Sequence, residues 1–466
     1  MRSVFKVLVI GFAITLVALL FYLRHDTPAR NYADLAVERR EVPTDQNALT
    51  FLKAAKEHLF WPTNSEFHLE RRAFVDGKST NTAWVAETVS NNTETLRLLG
   101  QAAACPYLEP DFVGPTTPDN MPDQFLSIDL NLMRLLELAT RHERLQGNHN
   151  AATESCAALI VNGARIHHGA LLLVDSLIGL AFLNTGCQQA IDLARDPYTP
   201  INGLERLAAT IDAIPPLDAG TIRAIKGDFQ LASGLISYFA TNAPSQTEST
   251  ALHSGNLLKS ALWARAQALK KVVRDGAKPR LPFRVVFHPN RTRESFADLS
   301  RLLIANASHC WAEIDSRLRD STWQADWEIA TESRWLRFRN PVGNILLSTM
   351  AVSPDFLRMQ AKTACLLAGT RLTLACTVYK KKERNWPETL HVLCPDYLTA
   401  VPIDPFDGQP FRYVRKRGIV YSVGEDLQDD GGSTALRSKA RVYNNGTVTS
   451  RWAMADAVFE LPPYVR

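Results

Sequence analysis

The chain has 466 residues, 46% hydrophobic and 21% charged, with a formal net charge of +4. That is a globular profile with enough chain for two or three domains, and it gives no ground for nucleic-acid binding. The basic runs Lys380-Lys381-Lys382 and Arg415-Lys416-Arg417 are short, carry no binding motif, and read as solvated helix or loop ends.

Residues 7–23 are continuously apolar apart from Thr15. At about 1.5 Å per residue the run reaches roughly 25 Å, enough to cross a bilayer. Arg2 and Lys6 precede it and no small-x-small cleavage site follows, so it reads as an uncleaved signal anchor. A short basic N-tail inside and the body outside is the expected topology. Arg24, Arg30, Arg39 and Arg40 place opposing positive charge on the far flank.

From 31 to 122 the pattern is loose, with helices expected over 48–59 and 80–99. Pro106, Pro110, Pro115, Pro118 and Pro122 then break the chain. Residues 126–240 form the clearest helical block. Leu132, Leu135, Leu136 and Leu138 recur at helical spacing, Gly147-Asn148 ends that helix, and Cys156, Leu159, Ile160 and Ile166 continue on a second. Residues 171–183 are apolar but too short to span a membrane, and predict a core helix whose Asp175 faces solvent or bonds locally. Two more helices are expected over 200–214 and 219–239, separated by Pro215-Pro216. Residues 256–274 read as a basic amphipathic helix, 283–287 as a strand and 293–318 as a helix. Trp323, Trp327 and Trp335 are expected on the core, and a long helix over 354–382 feeds the tail.

The tail changes character at Trp386. Asp404-Pro405-Phe406-Asp407-Gly408 is turn chemistry, because Pro presets φ, Asp bonds nearby N–H groups and Gly tolerates positive φ. Phe411 and Tyr413 alternate with Arg412, and Ile419-Val420-Tyr421 follows Gly418, so a hairpin is predicted. Asn445-Gly446 signals a second hairpin between 440–443 and 447–451. Glu425, Asp426, Asp429 and Asp430, closed by Gly431-Gly432, repel one another unless solvent or a cation intervenes.

This tail resembles the head of the major pseudopilins of bacterial type II secretion. The matching positions are Tyr379, Trp386-Pro387, Tyr397-Leu398, Pro402, Asp404-Pro405, Gly408, Tyr413, Ser422, Gly424 and Asp426. Phe406 replaces the family's Trp, and 428–432 departs from its calcium loop. No pilin processing site precedes the apolar run. The chain as a whole also resembles uncharacterised bacterial proteins with one N-terminal anchor, a helical middle and such a tail. By analogy with the pseudopilin loop, Asp426, Asp429 and Asp430 are expected to help bind one Ca²⁺, with backbone carbonyls completing a shell of hard oxygens. The alternative is a solvated acidic turn without an ion.

Catalytic signatures such as HExxH, GxSxG, GxxxxGK[ST] and GxGxxG are absent. His167-His168 point about 100° apart on a helix, cannot easily share a metal, and read as C-terminal cations favoured by the dipole. The seven cysteines show no CxxC spacing and are expected as mostly buried small hydrophobes.

The expected fold is therefore mainly α: an N-terminal transmembrane helix, a multi-helix body, and a small C-terminal α+β pseudopilin-like antiparallel sheet on a long helix. The divisions are a signal anchor over 1–25, a loose Pro-rich segment over 26–125, a helical body over 126–340 and the tail over 341–466. The function expected is that of a membrane-anchored scaffold or interaction protein without catalysis, on the inner membrane with its bulk periplasmic and with envelope proteins as partners. The alternatives are an accessory part of a type II secretion or pilus-like system, and an enzyme whose site sequence does not reveal.

Overall fold

The computed structural model describes residues 25–79, 81–110, 128–241, 287–320, 340, 343, 346–347, 354–437 and 451–462. Twelve α-helices run through them: α1 Ala48–Glu57, α2 Ser65–Val75, α3 Ala83–Asn91, α4 Thr93–Ala104, α5 Leu130–Leu145, α6 His149–Gly169, α7 Leu173–Arg195, α8 Ile201–Asp212, α9 Leu217–Thr241, α10 Pro289–Asn306, α11 Trp311–Asp320 and α12 Asp355–Glu383. The strands β1 Arg412–Val414, β2 Ile419–Ser422 and β3 Ala457–Glu460 form one antiparallel sheet in that order.

The helices start where the sequence supplies acceptors. Asn47, Asn64 and Asp129 each accept a backbone N–H in the first turn of α1, α2 and α5. The cap of α10 comes from far away. Asp26 accepts the N–H groups of Asn290 and Arg291 at 2.8 and 3.1 Å, which ties residues 25–47 to the body as a strap. Arg30–Glu294 and Asp34–Arg301 pairs, both 2.7 Å, hold the same strap, and Leu35 is buried among Phe229, Phe287 and Phe296.

The main core lies between α6, α7, α8 and α12 and continues without a break into the tail, where Phe406, Val420 and Phe459 are buried with it. Burying each such phenyl or branched side chain is worth about 1.5–3 kcal/mol. A second cluster joins α1 and α4 to α5, α6 and α7 through Leu52, Leu99, Leu135 and Phe182. The β1–β2 hairpin pairs Tyr413 with Val420, as the alternation predicts. Sequence reading did not find β3, whose Ala457, Val458 and Phe459 are all buried.

Several expectations need correction. Among the described residues no helix is long and apolar enough to cross a membrane, and the apolar run at 7–23 lies outside them. Among the described residues the fold is a mainly helical body with a three-stranded antiparallel sheet. No spanning helix among the described residues supports the single-pass inner-membrane placement, the membrane as partner or the periplasmic bulk. The expected helix at 256–274, the body of the 283–287 strand, Trp323, Trp327, Trp335 and the 440–450 hairpin also lie outside the described residues.

The lysine run is not a solvated end. Lys381 donates to the carbonyls of Pro197 and Thr199 at 2.9 and 2.8 Å, and Lys382 pairs with Glu205 at 2.7 Å. Lys380 stands 4.3 Å over the Trp386 ring. These contacts fasten the end of α12, which closes at Arg384 in the left-handed region (φ 63°), to the α7–α8 turn.

Candidate functional site

Two residues make the close approach behind the site possible. A Cβ on Gly169, the last residue of α6, would stand 2.3 Å from the Leu108 carbonyl oxygen. A Cβ on Gly220, in the first turn of α9, would stand 2.7 Å from the His167 ring. The end of α6, the start of α9 and the segment 106–109 therefore meet at van der Waals distance.

His167 is the bolt of this junction. It is fully buried, with Nε2 2.8 Å from the Leu217 carbonyl oxygen and Nδ1 2.7 Å from Ser176 Oγ. A carbonyl can only accept, so Nε2 carries the proton and Nδ1 accepts from the serine hydroxyl. Burial pushes the imidazole down to about 4, with His168 beside it adding to the shift. Burial also pushes His168 down to about 4. The expectation of two helix-end cations is corrected: both rings are neutral at pH 7, because desolvation outweighs the favourable helix dipole.

Around this junction opens a cavity of ≈ 360 Å³. Its wall takes Arg165, His168 and Gly169 from α6, Pro215, Ala219 and Arg223 from the start of α9, residues 106–109, and Arg40 from the strap. Three arginines face one carboxylate, Glu109, so the wall keeps two positive charges (3 − 1).

The arginines are not equivalent. Arg223 Nη2 lies 2.7 Å from both Glu109 oxygens, and its Nη1 donates to the Glu38 carbonyl at 2.8 Å. Arg39 completes the Glu109 pairing at 3.0 Å from outside the cavity. Arg40 lies 5.8 Å over the Tyr107 ring. Neither Arg40 nor Arg165 has a carboxylate partner among the described residues; Arg165 is set apart by desolvation, which lowers its guanidinium from the ordinary range against weak opposition from Cys105 and Tyr107. The Nε atoms of Arg165 and Arg223 and the Nε2 of His168 are buried with no protein hydrogen-bond partner. Leaving such groups uncompensated costs about 1–3 kcal/mol each, more when charged. Of these residues only His168 stood out in the sequence, as half of the His167-His168 pair, since the rest come from separated segments. The run of Arg39 and Arg40 entered only as charge beside the apolar stretch.

The residues singled out for calcium lie elsewhere, in the tail. Asp429 accepts from Tyr421 Oη and the Gly431 N–H, both at 3.0 Å, and from Arg412 Nε at 3.2 Å. Asp426 accepts the Gln428 N–H at 3.3 Å. Asp430 is exposed, and its own N–H donates to Asp456 at 3.4 Å. Glu425 is held between Lys362 and Arg437. The repulsion read from the sequence is thus answered by protein cations and N–H groups. Among the described residues no three His, Cys, Asp or Glu side chains gather as a metal set.

Two carboxylates organise the tail: Asp404, read from the sequence as a turn residue, and Asp456, which was not singled out. Asp404 is fully buried and accepts from the Phe406 N–H, Ser422 Oγ, the Val423 N–H and Arg412 at 2.8–3.2 Å. Asp456 is fully buried and accepts the Ser433 N–H at 2.8 Å. Asp175 does not face solvent as expected. It is 7% exposed, Oδ1 has no partner, and burial raises its carboxyl well above the ordinary range, helped by Asp228. All seven cysteines are free, five of them buried.

The chain matches no protein-family model, no curated protein and no solved structure. The resemblance to pseudopilin heads and to an anchored bacterial family is corrected accordingly. A few turn and strand residues at matching spacings are what any tightly punctuated hairpin selects. The secretion-system role and the envelope partners rested on that resemblance and fall with it.

Proposed function

We propose that this protein binds a small organic anion in the cavity between α6, α9, the strap and residues 106–109. The observation that carries the proposal is Arg165, a partly desolvated guanidinium on the cavity wall with no carboxylate partner among the described residues. A half-buried charge without a counter-ion is costly, and an anion from solution is a group that offsets it. Arg40 and Arg223 add positive potential at the same wall, and the guanidinium fork suits carboxylate and phosphate alike. The cavity lies in the size range of small-molecule sites. No bond-making step is assigned to it.

Calorimetric titration of the full chain with inorganic phosphate and with acetate tests the proposal. Saturable binding of at least one, weakened about tenfold or more by Arg165→Met, is expected. Absence of binding by both, or an unchanged affinity in Arg165→Met, defeats it.

A further inference from the structure

Within that proposal, on which this inference rests, the cavity says more about its occupant than its charge. A liquid-like share of about 30 Å³ per water-sized group fits roughly a dozen non-hydrogen atoms into ≈ 360 Å³. A phosphate head uses about five of them and a carboxylate about three, which leaves space for a further group the size of one ring. The lining also includes the apolar residues Pro106, Leu108, Pro215 and Ala219.

Tyr107 lines the same cavity with 42% of its surface exposed. Exposed aromatic rings are usually mobile, but this one hangs from a fixed backbone. The Tyr107 carbonyl accepts the Ala48 N–H at 2.8 Å, and the residue bridges Asn47 in parallel fashion. Asn47 is itself clamped to Glu109, donating to its carbonyl at 2.7 Å and accepting its N–H at 3.1 Å. Arg40 stands 5.8 Å over the ring, and the Arg165 charge is close enough to interact with the Tyr107 hydroxyl. An exposed ring on a held backbone, with the Arg40 guanidinium over it, is a platform for a second π-system, and stacking on such platforms tolerates many ring types.

We infer that the occupant is an aromatic anion, a single-ring molecule bearing a phosphate or carboxylate. Its ring stacks on Tyr107, and its acid group meets Arg165.

Matched probe pairs test this on the full chain: phenyl phosphate against ethyl phosphate, and benzoate against acetate, each by calorimetric titration. The aromatic member of at least one pair binds about tenfold tighter in the natural sequence. Tyr107→Ala abolishes that preference, bringing the two members of the pair to equal affinity, and Tyr107→Phe retains it. Circular dichroism of both variants, matching the natural chain, excludes a folding defect. Equal affinity within both pairs overturns the inference and leaves anion binding standing. So does a preference that survives in Tyr107→Ala. If no probe binds at all, anion binding itself fails and the inference fails with it.

Discussion

Arg223 clamps Glu109 across 114 residues of chain: one guanidinium nitrogen lies 2.7 Å from each carboxylate oxygen. Both side chains are largely buried, at 17% and 8% exposure, and the same guanidinium reaches the strap through the Glu38 carbonyl. Arg223→Met strands the Glu109 carboxylate with only Arg39, which is 36% exposed. Breaking a buried pair in this way costs about 3–5 kcal/mol, and the remaining Arg39 contact reduces that to about 2–3 kcal/mol. Urea denaturation of the full chain measures it. Adding Glu109→Gln to Arg223→Met recovers part of the loss, because the buried charge then disappears.

The second prediction concerns pH. Burial raises the Asp228 carboxyl from its ordinary value to about 7, and the Leu173 N–H that it accepts at 3.4 Å opposes the shift only in part. Asp175 beside it is raised in the same direction. The folded state then holds protons that the unfolded chain releases, so stability falls as pH rises from about 4 to about 7 and is level above that. Each tenfold change in proton affinity on folding corresponds to about 1.4 kcal/mol, so Asp228→Asn gains about 2–4 kcal/mol at pH 8 and nothing at pH 4. His167 and His168 act in the opposite sense below pH 6.5, because both are pushed down to about 4 and resist charging. Urea midpoints of the natural chain and Asp228→Asn, compared at pH 4, 6 and 8, isolate the aspartate. A gap that stays constant with pH contradicts the assignment.

The acidic loop supplies a third. Arg412 reaches Asp404 and Asp429 at 3.2 Å and Asp407 at 2.5 Å, and Asp404 is fully buried. With these cations in place, calcium and excess chelator give the same thermal midpoint, and Arg412→Ala lowers it at a cost of about 2–4 kcal/mol. A calcium-dependent rise in midpoint that Asp426→Ala abolishes establishes the ion instead.

The helices of the body were legible because their apolar residues recur at the helical period and their ends carry Asn, Asp, Gly or Pro. Leu132, Leu135 and Leu136 are all buried on α5, and Pro215-Pro216 does separate α8 from α9. The β1–β2 hairpin was legible for the same reason, through Gly418 and the alternation around Tyr413. β3 was not, because three of its four residues are buried and its partner strand lies more than thirty residues upstream. The cavity was illegible for a different reason. Arg40, Tyr107, Arg165 and Arg223 share no spacing, and only the packing of α6 on α9 brings them together. The metal reading of 425–430 rested on like charges near in chain; the cations that pair with some of them, Lys362, Arg412 and Arg437, lie outside that stretch and were not legible as partners.

The most direct measurement is an anomalous difference map from crystals of the full chain soaked in tungstate, a heavy tetrahedral dianion. Anion binding at this cavity predicts a peak within hydrogen-bond distance of the Arg165 guanidinium, on the wall shared with Arg223, and its loss in Arg165→Met crystals. A map with no peak in the cavity, or the same peak in Arg165→Met, contradicts it.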